Sequence, residues 1–269
     1  MKWHEIIKDS AWVVDDLLTP DESQGFINKA MEAGIQDKKA AGDIRHRNST
    51  TVPIDDAEMA GRIFERIKDH IPQEVVIDED CDNLGLSVHK SELLGTWRPY
   101  ALNERWRVVC YPGTGHFGPH RDGCRLIDEH HRSLITVNGY LTDRPKGFGG
   151  ATRFLKDSIK VQLNNDGLFT TDESEVLQRV EADKAGKAVV FFHDLMHDGE
   201  PLKEGSPPKW LFRTEIIFER DPATAPQLSK DQKDARELLK RAEEAEEGGQ
   251  LNEAISFYKQ AYRLDPSLE

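Results

Sequence analysis

Between residues 105 and 220 the apolar positions come in short runs, each closed by glycine or proline. Arg107-Val-Val-Cys-Tyr111 enters a Pro112-Gly113 turn, and Ser133-Leu-Ile-Thr-Val-Asn-Gly-Tyr-Leu141 is rich in β-branched residues. Gly149-Gly-Ala-Thr-Arg-Phe154, Gly186-Lys-Ala-Val-Val-Phe-Phe192 and Lys209-Trp-Leu-Phe-Arg-Thr-Glu-Ile-Ile-Phe218 follow. Short runs broken in this way predict β-strands, and their spacing suits an antiparallel double sheet of jelly-roll type. Ahead of them, residues 10–35 read as a strand and then a helix. Thr19-Pro-Asp-Glu22 supplies a cap and an acidic first turn, and Phe26, Ile27 and Ala30 recur at helical spacing. A second amphipathic helix opens at Ile54-Asp-Asp-Ala-Glu58 and turns Met59, Ile63, Phe64 and Ile67 inward. Residues 76–100 read as irregular or partly stranded.

Past residue 220 the pattern changes. Residues 221–230, with Pro222 and Pro226, read as a linker. Beyond it Ala, Glu, Lys and Leu dominate, and Leu238, Ala242, Gly249, Leu251, Ala254, Tyr258, Ala261, Leu264 and Pro266 fall at tetratricopeptide spacing. Small residues at these positions let two helices approach, and Pro266 ends the second. Only one such repeat is visible, whereas stable arrays need about three. A generic acidic helical hairpin is the other reading. The expected architecture is therefore α+β. Residues 1–220 form the main domain, with supporting helices over 1–97 and a jelly roll over 98–220. A linker over 221–230 and a tetratricopeptide-like helix pair over 231–269 complete it.

The chain has 269 residues, 37% of them hydrophobic, enough for one large domain and an appendage. No run of apolar residues is long enough to span a bilayer, and the start, Met1-Lys-Trp-His-Glu-Ile-Ile-Lys8, lacks the apolar stretch of a signal peptide. Cys81, Cys110 and Cys124 are too few and too irregular for a disulfide framework or a zinc site. A reducing cytoplasm or nucleus fits. The formal net charge of −13 argues against a nonspecific nucleic-acid surface, which needs Lys and Arg against phosphate.

His120-Arg-Asp122, with His197 far downstream, carries the candidate chemistry. Two imidazoles and one carboxylate can occupy one face of an Fe(II) ion and leave the other positions open. Strand side chains alternate faces, so His120 and Asp122 can reach one ion from a single strand end. His193, four residues before His197, is the rival distal ligand. His116, His130 and His131 read as loop histidines.

In order along the chain stand Tyr111 with its Pro-Gly turn, His120-x-Asp122, Gly149-Gly-x-Thr-x-Phe154, Gly186-x-Ala-x-x-Phe191, His197-x-Gly-x-Pro201 and a final strand with basic residues. This series resembles the Fe(II)/2-oxoglutarate dioxygenases of the prolyl 4-hydroxylase-like branch. Cys110-Tyr-Pro-Gly113 is similar to the oxygen-sensing prolyl hydroxylases, and Leu102-Asn-Glu-Arg105 to the lead-in of soluble relatives. The resemblance is dense over 98–220 and looser before. It implies Fe(II) held by His120, Asp122 and His197, with 2-oxoglutarate and O₂ as cosubstrates and ascorbate as a stimulant. The distal carboxylate of 2-oxoglutarate needs a cation, and Lys209 and Arg213 both qualify. Lys209 precedes Trp210, as the anchor precedes an aromatic in collagen-type prolyl hydroxylases. Arg213-Thr-Glu resembles the R-x-S anchor of other oxygenases and is the favoured choice. Tyr111 and Tyr140 match the pocket tyrosines, and Arg153 is either a substrate contact or an exposed residue. The implied activity is hydroxylation of a protein, on proline, with release of succinate and CO₂. The helix pair would recruit the target or another protein partner. Oxidation of a small molecule or nucleobase is the alternative, and an inert adaptor a third reading.

Overall fold

The computed structural model describes residues 1–40, 42–78, 80–81 and 93–268. By their contacts they form two compact units. The first comprises Met1–Ile71, Ala101–Asp122 and Leu134–Ile216; the second comprises Pro72–Tyr100, Gly123–Ser133 and Ile217–Glu269. The strands in chain order are β1 (Lys2–Ile7), β2 (Ala11–Asp15), β3 (Arg47–Asn48), β4 (Thr50–Asp55), β5 (Val75–Ile77), β6 (Gly95–Leu102), β7 (Arg105–Tyr111) and β8 (His116–His120). Then come β9 (His131–Tyr140), β10 (Thr152–Leu155), β11 (Gln162–Leu163), β12 (Phe169–Thr170), β13 (Val176–Val180), β14 (Ala188–Phe192), β15 (His197–Gly199) and β16 (Lys209–Arg220). Helices α1 (Pro20–Glu32) and α2 (Ala57–Ile67) lie in the first unit, and α3 (Lys230–Glu247) and α4 (Leu251–Leu264) in the second.

In the first unit one sheet runs β1-β2-β14-β9-β16, and β7 and then β4 add to it through β16. A second sheet, ordered β13-β10-β15-β8-β3, is antiparallel at each pairing. The inward side chains of both sheets meet in one cluster: Val109, Tyr111, Tyr140, Phe191 and Leu211 from the first, Phe154 and Val180 from the second. This is the double antiparallel sheet that the punctuated runs predict. The first sheet is covered on its other face as well. Alternation along β7 and β16 turns Trp106 and Phe212 away from the cluster, and Phe26 of α1 packs on both, with ring centroids 4.9 and 5.1 Å apart. Burial on both faces explains why β9 reads as a nearly continuous apolar run.

The first helix begins where its cap predicts, and the second begins at Ala57, within the expected opening segment 54–58. Thr19 Oγ1 accepts from Glu22 N at 3.2 Å, and Glu22 Oε2 accepts from Thr19 N at 2.9 Å, a reciprocal capping box. Asp56 Oδ1 caps α2 by accepting from Met59 N at 2.9 Å, and Met59, Ala60, Ile63 and Ile67 are buried.

In the second unit, β5 pairs with β6 in antiparallel register. Helices α3 and α4 pack on each other, and the small residues Ala235, Ala242, Ala245, Ala254 and Ala261 are buried. An ion pair between Arg236 and a nearly buried Asp265, 2.8 Å apart, ties the start of the pair to its end. Helix α4 stops two residues before Pro266, as expected. Residues 221–230 lie within this unit. Asp221 N donates to Thr96 O, and Thr96 N to Thr224 Oγ1, both at 2.8 Å. The contacts thus divide the chain along other lines than the expected boundaries at 220 and 230. Of the stretch expected to be irregular, residues 79 and 82–92 lie outside the described residues. Among the described residues no helix is long and apolar enough to cross a membrane.

The close approach of β9 to the ring of Phe212 makes Gly139 obligatory. A Cβ added there would stand 2.1 Å from Phe212 Cε1. Gly139→Ala should therefore overpack the layer under α1 and cost about 1–3 kcal/mol, read as a lowered denaturation midpoint. Adding Phe212→Leu should recover part of the loss. A Gly139→Ala protein as stable as the parent would show that the ring can move aside.

Candidate metal centre

Antiparallel pairing of β8 with β15 sets His197 directly across from His120. Asp122 lies two residues beyond His120, just past the strand end, and points to the same side. One ligand atom from each of His120, Asp122 and His197 falls within 4.8 Å of the others. Asp122 Oδ1 is 3.8 Å from His120 Nε2, and Asp122 Oδ2 is 3.8 Å from His197 Nε2.

The donor set fits a divalent ion. His120 Nδ1 donates to Gly118 O at 2.8 Å and His197 Nδ1 to Leu195 O at 2.9 Å. A carbonyl oxygen can only accept, so each Nδ1 carries the proton and each Nε2 offers a lone pair to the common centre. Burial, aided by His197, holds His120 well below the ordinary histidine range, so its imidazole is neutral and ready to ligate. Burial alone would raise the Asp122 carboxyl, but Arg213, His197 and His120 together hold it low. The carboxylate is also oriented: Thr136 Oγ1 donates to Asp122 Oδ2 at 2.6 Å, and Arg213 Nε stands 3.3 Å from Oδ1.

The rival His193 stands behind this centre. It is fully buried, its Nδ1 is 2.9 Å from Thr136 Oγ1, and its backbone carbonyl accepts from Asp122 N. Burial, with Arg213 nearby, pushes it down to about 4. The structure therefore brings His197, not His193, together with His120 and Asp122. His116 is not a loop residue as expected: it opens β8, is buried, and its Nε2 bonds Arg45 O at 3.1 Å. His131 opens β9 and is bound by Asp128, while His130 lies in the turn before it.

The two basic candidates on β16 have different surroundings. Lys209 is buried, its Nζ donates to Gly150 O at 2.9 Å, and it lies 4.3 Å from the centroid of the Tyr111 ring. Among the described residues no carboxylate is within ion-pair distance of it. Burial, with Arg144 adding repulsion, pushes it down to about 7. Arg213 is instead engaged by carboxylates. Besides Asp122, its NH1 lies 3.0 Å from Glu215 Oε1, and Glu215 in turn takes Arg107 at 2.5 Å and Asn103 at 2.8 Å.

Tyr111 and Tyr140 line the inter-sheet cluster, and burial raises both phenols. Tyr140 Oη is hydrogen-bonded to Thr152 Oγ1 at 2.8 Å. Of the two expectations for Arg153, a substrate contact or an exposed residue, the second is overturned. It is buried on a bidentate pair with Asp198, at 2.8 and 2.5 Å, and also meets Glu173. Thr136 and Phe117 escaped the sequence reading. The ring of Phe117 stacks on His120, with centroids 3.6 Å apart. A threonine inside the apolar run 133–141 was the only available signal for the first; for the second there was none.

Among curated proteins no relative matches the chain. Solved structures similar to it include two prolyl hydroxylases and an epimerase. A prolyl-4-hydroxylase of Pseudomonas putida shares 16% identity over 79% of this chain and 93% of its own, with a TM-score of 0.46. The viral collagen prolyl hydroxylase of Paramecium bursaria Chlorella virus-1 shares 17% over 78% and 96%, with a TM-score of 0.42. The alpha-ketoglutarate-dependent epimerase SnoN from nogalamycin biosynthesis shares 13% over 79% and 78%, with a TM-score of 0.43. Residues 106–214 match the family described as the 2OG-Fe(II) oxygenase superfamily. With its His-x-Asp…His centre inside that match, this segment is a 2OG-Fe(II) oxygenase domain, and its cofactors are Fe(II) and 2-oxoglutarate.

Proposed function

We propose that this oxygenase is a hydroxylase of prolyl residues in a protein. Lys209 carries the reading. A buried amine with no carboxylate within ion-pair distance is costly unless a ligand supplies one, and this one sits against the ring of Tyr111, which itself belongs to the inter-sheet cluster. Its place before Trp210 is the collagen-type prolyl hydroxylase pattern. Arg213, favoured from the sequence, is the weaker candidate because Asp122 and Glu215 already hold it.

On this reading the chain's residues divide the labour. His120, Asp122 and His197 hold Fe(II), and Thr136 and Arg213 keep the carboxylate turned toward it. Lys209 receives the distal carboxylate of 2-oxoglutarate, with the Tyr111 ring against its ammonium. Phe154 and Phe191 pack around His197 and exclude water from that side. Bound Fe(II) and 2-oxoglutarate supply the O₂ chemistry, with succinate and CO₂ as the by-products.

The decisive test is a comparison of prolyl peptides with a +16 Da shift in cells carrying the native protein and in cells carrying His197→Ala. Such peptides should vanish with His197→Ala, which also should abolish succinate release, while His193→Ala should still bind Fe(II). Mass shifts confined to metabolites would instead favour a small-molecule oxygenase.

Lys209→Ala should raise the Michaelis constant for 2-oxoglutarate more than Arg213→Ala does. Losing a buried, charge-assisted contact costs roughly 2–5 kcal/mol, on the order of 30-fold or more. Arg213→Ala should act through Asp122 and show mainly as weakened Fe(II) affinity. A larger Michaelis effect from Arg213→Ala would return the anchor to that residue.

The depressed pKa of Lys209 adds a pH signature. An amine at about 7 is charged below that pH and neutral above it, and a carboxylate binds the charged form. The dissociation constant of 2-oxoglutarate should therefore rise as pH increases from 7 to 9, approaching tenfold per unit. Lys209→Arg should flatten the slope, because a guanidinium stays charged throughout. A native protein whose affinity is flat over this range would show that Lys209 is not the anchor.

A further inference from the structure

Arginines of the first unit commonly meet a carboxylate. Arg66 meets Glu22, Arg121 meets Asp157, Arg153 meets Asp198, and Arg179 meets Glu173 and Glu200. Arg47 on β3 differs. Its Nε donates to Ser49 Oγ at 2.8 Å and its NH2 to Thr51 Oγ1 at 3.0 Å. Among the described residues no carboxylate comes within ion-pair distance. The two hydroxyls aim the guanidinium without cancelling its charge, and most of its five N–H donors are left for a ligand.

Its position matters as much as its charge. The Arg47 Cζ lies 4.6 Å from the centroid of the Phe117 ring, and that ring is stacked on the metal ligand His120. The cation therefore stands one aromatic ring from the centre. β3 pairs with β8 so that Arg47 faces Phe117. The neighbouring His46 ring stands at 5.4 Å from the same Phe117 ring. Half-buried charges in such places are stabilised by an anion that arrives with a ligand. The cosubstrate has its own cation in Lys209, so Arg47 is left for the second molecule that the site must hold.

We propose that Arg47 is a specificity residue that takes an acidic group of the substrate: an Asp or Glu side chain close in sequence to the proline to be oxidised. This rests on the prolyl-hydroxylase reading of the same site. It goes further by naming the chemistry of the residues that flank the target.

Synthetic peptides test it, each with one proline flanked by Asp and Glu, by Asn and Gln, or by Lys. Two readouts serve: the +16 Da product, and fluorescence anisotropy of labelled peptide on the metal-loaded protein without turnover. The native protein should favour the acidic set over the neutral set by about tenfold in kcat/KM, equivalent to about 1.4 kcal/mol, and should bind it more tightly. Arg47→Gln should bring that ratio close to one, Arg47→Lys should keep part of it, and Arg47→Glu should turn the preference toward the Lys set. The native ratio needs no variant, so a variant that fails to fold does not blunt the test. Hydroxylated peptides with no acidic preference overturn the proposal. So does a fall of both arms together in Arg47→Gln, which would mark Arg47 as a cosubstrate or packing residue. If no peptide of any set is hydroxylated while 2-oxoglutarate is still consumed, the prolyl reading itself fails, and this inference falls with it.

Discussion

The register between β8 and β15 is the constraint on which the metal centre depends. The two histidines come from chain segments far apart in sequence, and only the antiparallel pairing of His120 with His197 brings them face to face. A slip of one residue would turn each imidazole to the opposite side of the sheet. Two features hold the register. β15 is also paired on its other side, where Phe154 of β10 lies across from His197. Gly118 cannot carry a side chain without meeting the His46 ring at 2.8 Å and Phe169 O at 3.0 Å, so β8 is seated closely against the loop that covers it.

Two cations four residues apart on one strand have different surroundings, and desolvation acts on them differently. A guanidinium buried next to two carboxylates stays charged, and the sequence Arg107, Glu215, Arg213, Asp122 alternates in sign, so each charge is offset by its neighbour. The amine of Lys209 has no such chain. It lies against a backbone carbonyl and an aromatic face, contacts that are too weak to hold a full charge in a dry place, and its affinity for the proton falls accordingly. The difference between the two sites is thus one of counter-charge: the protein supplies it to Arg213, and among the described residues places none within ion-pair distance of Lys209.

Much of this was legible in the residues. The punctuated β-runs gave the double sheet because alternation and turn chemistry are local, and Thr19, Asp56 and Pro266 mark helix ends for equally local reasons. His120 and Asp122 could be paired because their spacing matches the strand period. The choice of Arg213 over Lys209 could not be checked in the same way. What separates them is the position of Asp122 and Glu215, residues that tertiary packing delivers. The burial of Arg153 was illegible for the same reason: its partner Asp198 is 45 positions away along the chain. Arg47 lacked any motif, since its meaning lies in the carboxylates that are not beside it.

The orientation of the two imidazoles has a consequence for how this centre tolerates change. Each ring is held by the carbonyl two residues upstream of itself, Gly118 for His120 and Leu195 for His197. The tautomer is therefore written into the main chain and not into any side chain that substitution could remove. Position 195 is free of any side-chain requirement at that oxygen, though Leu195 itself packs against the inter-sheet cluster. Position 118 is not, because its backbone must approach His46 and Phe169 too closely for a Cβ. The carbonyl that orients His197 thus asks nothing of its own side chain, whereas the one that orients His120 asks for a residue without a Cβ.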